Sequence, residues 1–206
     1  MSNRSDIQAI YGRRAELIAE RLREFARVPR GKRFYELAFC LMTPQSRAAN
    51  AWAIQQKLEA MNFFENPRDI SGLLGSREHY VRFHNQKSRN ILAAAERFME
   101  IEALLDSDLI NIEKRRELVR LVRGMGFKEA SHFLRNIGYR GLAILDRHIL
   151  KLLLRYGAFE AIPPVATEKN YLAAEAEFFR FAGEVNIDPD ELDLLFWSEQ
   201  TGEILK

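Results

Sequence analysis

Apolar residues recur at helical spacing through most of the chain. In residues 6–27, Ile7, Ile10, Tyr11, Leu17, Ile18 and Leu22 fall near one face with charges between them, which predicts a first helix. Val28-Pro-Arg-Gly31 breaks it. Residues 33–42 are apolar nearly throughout and predict a second helix. Thr43-Pro-Gln-Ser46 predicts a turn, with Ser46 capping a helix through Leu58. Pro67 suits the first turn of a short helix ending near Gly75, and residues 77–83 predict another. Asn85 or Ser88 is expected to start a helix carrying Ile91, Leu92, Ala95 and Phe98, and Asn111 to cap one reaching Val122. Further helices are expected over Lys128–Ile137, closed by Gly138, and over Arg147–Tyr156 after a short link at Gly141–Leu145. Beyond the break at Pro163-Pro164, Thr167 and Pro189 begin the last two, near 168–185 and 189–201. The predicted fold class is all-α, built from many short helices, with no repeat and no flexible linker.

Composition agrees. The 206 residues include only three Thr and six Val beside abundant Ala, Leu, Glu and Arg, a balance that favours helix over strand. No apolar run approaches the ~20 residues of a membrane span. The start, Met-Ser-Asn-Arg-Ser-Asp, has no apolar signal core, so cytoplasmic residence is expected. The single cysteine, Cys40, excludes an intrachain disulfide and any cysteine-ligated cluster or zinc site, and its apolar neighbours predict inert packing. His79, His84 and His132 form no metal-spaced cluster with Cys, so no catalytic metal is expected. Net charge is +2 but unevenly spread. Residues 101–155 hold eleven Lys/Arg against seven Asp/Glu, and residues 156–206 hold three against eleven. A basic middle suggests a face for a polyanion, although charge runs also serve as plain solvated helix faces.

The candidate chemistry lies in Leu121-Val-Arg-Gly-Met-Gly-Phe-Lys-Glu-Ala130 and Ile144-Leu-Asp-Arg-His-Ile149. Gly124 and Gly126 allow a tight hairpin whose N–H groups can point outward, the makings of a phosphate site, with Arg123 beside it. Lys128 follows in the first helical turn. The positive end of a helix dipole works against its charge there, which suits a neutral amine acting as a nucleophile; a surface lysine is the plain alternative. Asp146, eighteen positions on, stands where a helix cap belongs and can be both cap and reactive carboxylate. Two further stretches invite attention. In Phe39-Cys-Leu-Met-Thr-Pro-Gln-Ser-Arg-Ala48, a polar turn joins two helices. In Arg82-Phe-His-Asn-Gln-Lys-Ser-Arg89, basic residues flank an aromatic, which suits backbone contact and stacking or simply a polar helix start.

Together these motifs resemble the helix-hairpin-helix DNA glycosylase superfamily, which pairs a hairpin Gly-x-Gly, a lysine two residues later and a downstream catalytic aspartate. Chain length, the absent cluster, Cys-Leu-Met-Thr-Pro-Gln-Ser and an ending at Trp197 and Lys206 are similar to the compact second type of 8-oxoguanine DNA glycosylase/AP lyase. The resemblance covers nearly the whole chain and is strongest at 37–50, 82–92 and 120–150. Arg123 departs from it, since many members have proline there. It implies a two-lobed helical fold with a cleft: residues 1–32 and 136–206 in the terminal lobe, and 33–135 in the middle lobe with the hairpin. It implies that Lys128 and Asp146 are catalytic. Gly124, Gly126, Arg123, Gln45, Ser46, Arg47, Arg82 and Lys87 would contact DNA, with Gln45 filling the gap left by a flipped nucleotide. Phe83, Trp197 and Lys206 would form the base pocket, where a carboxylate or carbonyl accepts the N7 hydrogen that 8-oxoguanine has and guanine lacks. Trp197 can equally belong to the core. No cofactor is implied, although relatives often hold a monovalent cation at the hairpin. The partner is damaged double-stranded DNA, met by a monomer in a prokaryotic cytoplasm. The rival readings are a noncatalytic helix-hairpin-helix module, which has no use for both Lys128 and Asp146, a glycosylase for another damaged base, and a helical interaction scaffold.

Overall fold

A computed structural model describes residues 4–201, and among them every regular element is helical. The chain divides into two units, Met1–Arg27 with Leu134–Lys206, and Val28–Phe133.

In the second unit the apolar run becomes α2 (Arg33–Met42), on which every residue from Phe34 to Met42 is buried. A helix apolar on all sides must be surrounded. It packs against α3 (Ala48–Ala60) and α5 (His84–Glu96). Phe34 lies 5.0 Å from Phe64 and 5.3 Å from Phe98 between ring centroids. Glu36, buried on the same helix, is matched by a 2.8 Å hydrogen bond from Gln55 of α3. The remaining elements are a 3-10 turn (Arg30–Lys32), α4 (Ser71–Leu74), α6 (Phe98–Leu105), α7 (Asn111–Leu121) and the start of α8 (Phe127–Asn136), inside which the division falls.

Three expectations fail here. The helix expected from Pro67 shrinks to the single turn Ser71–Leu74, because Asp69 accepts from both the Ser71 N–H and hydroxyl and starts the helix there. Residues 77–83 form no helix: the Val81 N–H reaches back to Leu74, and Asn50 holds the Tyr80 carbonyl. The helix expected to run through Phe98 breaks at Arg97, whose side chain donates instead to Leu121, the last residue of α7.

The other unit holds α1 (Arg4–Ala26), α9 (Arg147–Arg155), α10 (Glu168–Glu184) and α11 (Pro189–Thr201). α11 packs on α1, α9 and α10, burying Leu192, Leu194, Leu195 and Phe196. Phe196 stacks on Tyr156 at 5.6 Å. Arg135 and Asp193 form a buried ion pair.

Several helices end in one way. At Asn62, Gly138, Gly157 and Asn186 a left-handed residue lets the following N–H reach a carbonyl five residues back, as Tyr139 does to Leu134 at 2.9 Å. Gly138 is the tightest of these. Its φ is 94°, and a Cβ there would lie 2.8 Å from the Ala26 Cα. Gly138→Ala should therefore cost about 1–3 kcal/mol. The melting temperature should drop by roughly 2–4 °C per kcal/mol in a calorimetric scan. An unchanged melting temperature would show that the backbone at Ala26 yields freely.

Candidate active site

α7 and α8 meet through the glycine hairpin. Gly124 has φ 82°, and a Cβ on it would fall 2.1 Å from the buried Asn90 side chain, so both conformation and space require glycine. Arg115, fully buried on α7, donates to Ser131 Oγ at 3.1 Å and lies 5.5 Å from the Phe127 ring, fixing the start of α8. Arg123 and Gly124 are exposed. The outward N–H expected at Gly126 is already engaged: Glu129 Oε2 accepts it at 3.2 Å. A Glu at the third helical position reaching back to the cap N–H is half of a capping box, and that spacing was the signal that could have marked Glu129 in advance.

Lys128 stands in the first turn of α8 with its side chain 24% exposed, and Glu129 Oε1 lies 3.0 Å from its Nζ. One carboxylate thus faces both the amine and the hairpin N–H.

The 43–46 turn and the 80–83 turn belong to the same unit as the hairpin. Gln45, Arg47, Arg82 and Phe83 are exposed, and the Arg82 guanidinium lies over the Phe83 ring at 4.8 Å. Two expectations are corrected. Ser46 does not cap α3; Arg47 holds the cap position without a side-chain bond, and Ser46 Oγ accepts the Arg82 N–H at 2.9 Å. Lys87 does not reach outward to phosphate. It is buried, and its ammonium donates to Met42 O and Pro44 O at 2.6 Å and to Ser46 Oγ at 3.1 Å.

In the other unit Asp146 caps α9: its Oδ1 accepts from His148 N at 2.7 Å and Ile149 N at 2.8 Å. No hydrogen bond among the described residues engages Oδ2. The preceding link, residues 142–145, is buried, so its backbone groups need partners. Glu175 accepts from Ala143 N at 2.9 Å, while the Tyr171 hydroxyl donates to Ala143 O at 2.8 Å and accepts from Leu145 N. Asp190 accepts from Gly141 N. These three residues of α10 and α11 hold the link that leads to Asp146, and nothing local in the sequence marks them. Burial pushes the Asp193 carboxyl up to about 7 against the Arg135 guanidinium, with the Asp146 charge acting in the same direction as burial. Trp197 is half-buried rather than sealed in the core, its ring 6.4 Å from His148. Lys206 lies outside the described residues.

A short-helix fold with a glycine hairpin, a first-turn lysine and a capping aspartate defines a helix-hairpin-helix protein of the DNA glycosylase type. The family profile described as 8-oxoguanine DNA glycosylase matches residues 18–187, and the chain belongs to that family. A Fusobacterium nucleatum protein named 8-oxoguanine DNA glycosylase/AP lyase is 36% identical, covering 98% of this chain and 97% of its own. A Korarchaeum cryptofilum protein of that name is 33% identical over the same shares. The solved 8-oxoguanine DNA glycosylase of Thermotoga maritima superposes with a TM-score of 0.87 at 30% identity over 98% of each chain. The Methanocaldococcus jannaschii 8-oxoguanine glycosylase/lyase, in complex with 15-mer DNA containing 8-oxoguanine, superposes with a TM-score of 0.85 at 33% identity, covering 97% of this chain and 99% of that one.

The internal position of Lys87 has a consequence in pH. Burial lowers its ammonium to about 8, the Lys128 charge adding to the shift and Glu129 opposing it. Below that value both folded and unfolded chains hold the proton, and the cost of the buried charge is constant. Between there and the ordinary value of 10.5 the folded protein releases the proton while the unfolded chain keeps it, so stability rises with pH. Relative to Lys87→Met, the wild type should gain about 1–2 kcal/mol across this window, less than the full shift because solvent screens part of it, read from urea midpoints. A difference independent of pH would mean that the three oxygens hold the proton throughout.

Proposed function

We propose that this protein removes 8-oxoguanine from duplex DNA and then cuts the strand at the resulting site. The observation that carries the reading is Lys128: a partly exposed amine in the first turn after a glycine hairpin, with a carboxylate as neighbour. The family's relatives bear the glycosylase/AP lyase name, which fits an amine nucleophile.

The damaged nucleotide leaves the stack at a cost of a few kcal/mol. The Lys128 amine attacks the sugar's C1′, and the bond from C1′ to the base breaks, the base leaving with the bonding pair. Asp146, its Oδ1 fixed by the cap, offers Oδ2 to the positive charge growing on the sugar and takes a proton from the amine. Ring opening leaves a Schiff base between Nζ and C1′. Loss of a C2′ proton then expels the 3′ oxygen, and water releases the amine. Arg123 and the hairpin steady the backbone phosphates, and Trp197 offers a stacking face to the extruded base.

Lys128→Gln should abolish borohydride trapping on 8-oxoguanine duplexes while most DNA affinity remains. A variant that still cross-links would assign the chemistry to another amine.

Asp146→Asn preserves the capping oxygen, so stability should change little. Excision should fall by about 10²-fold or more, because the negative charge facing the sugar is gone. Single-turnover excision beside thermal melting separates the two effects. A variant near the wild-type rate would reduce Asp146 to its cap.

A further inference from the structure

Among the described residues four non-glycines have positive φ. Asn62 and Asn186 sit at helix C-termini, a place where asparagine is at ease. Gln45 (φ 54°) and Phe83 (φ 60°) do not, and neither residue type favours that region. Each such residue costs on the order of 1–3 kcal/mol and persists only where its surroundings hold it. Both are exposed, Phe83 by 51%. The packing of their own side chains therefore does not hold them.

One polar cluster holds both. The Lys87 ammonium, 6% exposed, binds Met42 O and Pro44 O on one side of Gln45 and Ser46 Oγ on the other. Ser46 Oγ in turn accepts the N–H of Arg82, the residue before Phe83. Lys87 also closes the turn from its own backbone, donating N–H to Phe83 O at 3.0 Å. A neighbouring bond, Asn50 Nδ2 to Tyr80 O at 2.9 Å, ties the second turn to α3. A lysine whose three donors are all spent inside carries a desolvation cost that a plain surface turn does not require.

We propose that Lys87, through Ser46, is a positioning residue that locks Gln45 and Phe83 into one rigid pair of probes for the opened duplex. This rests on the reading of the protein as a DNA glycosylase. An amide and an exposed flat ring suit the two tasks that extruding a nucleotide creates: filling the vacated space and stacking on the base that has left it. The clamp keeps the two at a fixed spacing before DNA arrives, so no ordering cost falls on the opening step. Lys87 thus acts on DNA without touching it.

The test uses Lys87→Met, which keeps the aliphatic stem and removes the donors, with Ser46→Ala and the hydroxyl-retaining Ser46→Thr. Amide hydrogen exchange in the free protein reads the clamp itself. Protection of Arg82 and of residues 43–46 should fall in Lys87→Met and Ser46→Ala and return in Ser46→Thr. Excision of 8-oxoguanine from a fully paired duplex should fall by about tenfold or more, the rate equivalent of one strained residue set free. Cleavage at a preformed abasic site opposite a missing base, where no pair is opened, should fall far less. The rise in 2-aminopurine fluorescence beside the lesion should shrink with the excision rate. Unchanged exchange at both turns would overturn the clamp. Equal losses on the two substrates in folded variants would overturn its role in opening the duplex. A wild type inactive on both substrates, with exchange still responding, would instead remove the glycosylase reading and leave the clamp standing.

Discussion

Every helix end leaves backbone groups that its own ladder cannot satisfy, and a fold of short helices has many ends. In this protein the groups that satisfy those ends include residues of the candidate site. Asp146 takes the first N–H groups of α9, and Glu129 takes the N–H at the start of α8. Lys87 takes the last carbonyl of α2, Arg97 that of α7, and Lys114 that of α6. Acids at the N-termini and cations at the C-termini follow the helix dipole. A reactive side chain that is also a cap needs no separate scaffold to orient it.

The same constraint explains where the basic residues go. The excess of lysine and arginine in residues 101–155 overstates the cationic surface, because Lys114, Arg115 and Arg135 are buried and bonded to protein oxygens. Outward near the hairpin are Arg123 and Arg120, the latter paired with Glu117, and near the turns Arg47, Arg82 and Arg89. Net charge per segment therefore says less about a polyanion than the fate of each side chain does.

Most of the fold was legible in the sequence because helical periodicity, glycine ends and proline starts are local signals. α2, α8 and α9 lie within a residue or two of their expected spans, and Asp146 caps as its position implies. The failures cluster in residues 67–97, where long-range bonds decide: Asn50 and Leu74 hold the 80–83 turn open, and Ser46 spends its hydroxyl on Arg82 rather than on α3. Lys87 reads as a surface cation for the same reason, since the carbonyls that bury it lie more than forty residues away in the chain. Tyr171 and Glu175 were invisible because nothing in α10 announces that a link thirty residues earlier lacks partners.

The double duty proposed for Asp146 also bears on heat. Its aim depends on two N–H groups in a single turn of α9. Terminal turns open with far smaller free energies than whole domains. Fraying of that one turn frees the carboxylate to rotate, and under the proposed mechanism excision then lapses while the rest of the chain stays folded. Under that mechanism the working temperature is set by the durability of one helix start rather than by the depth of the core, and a stabilising change elsewhere leaves that ceiling where it was.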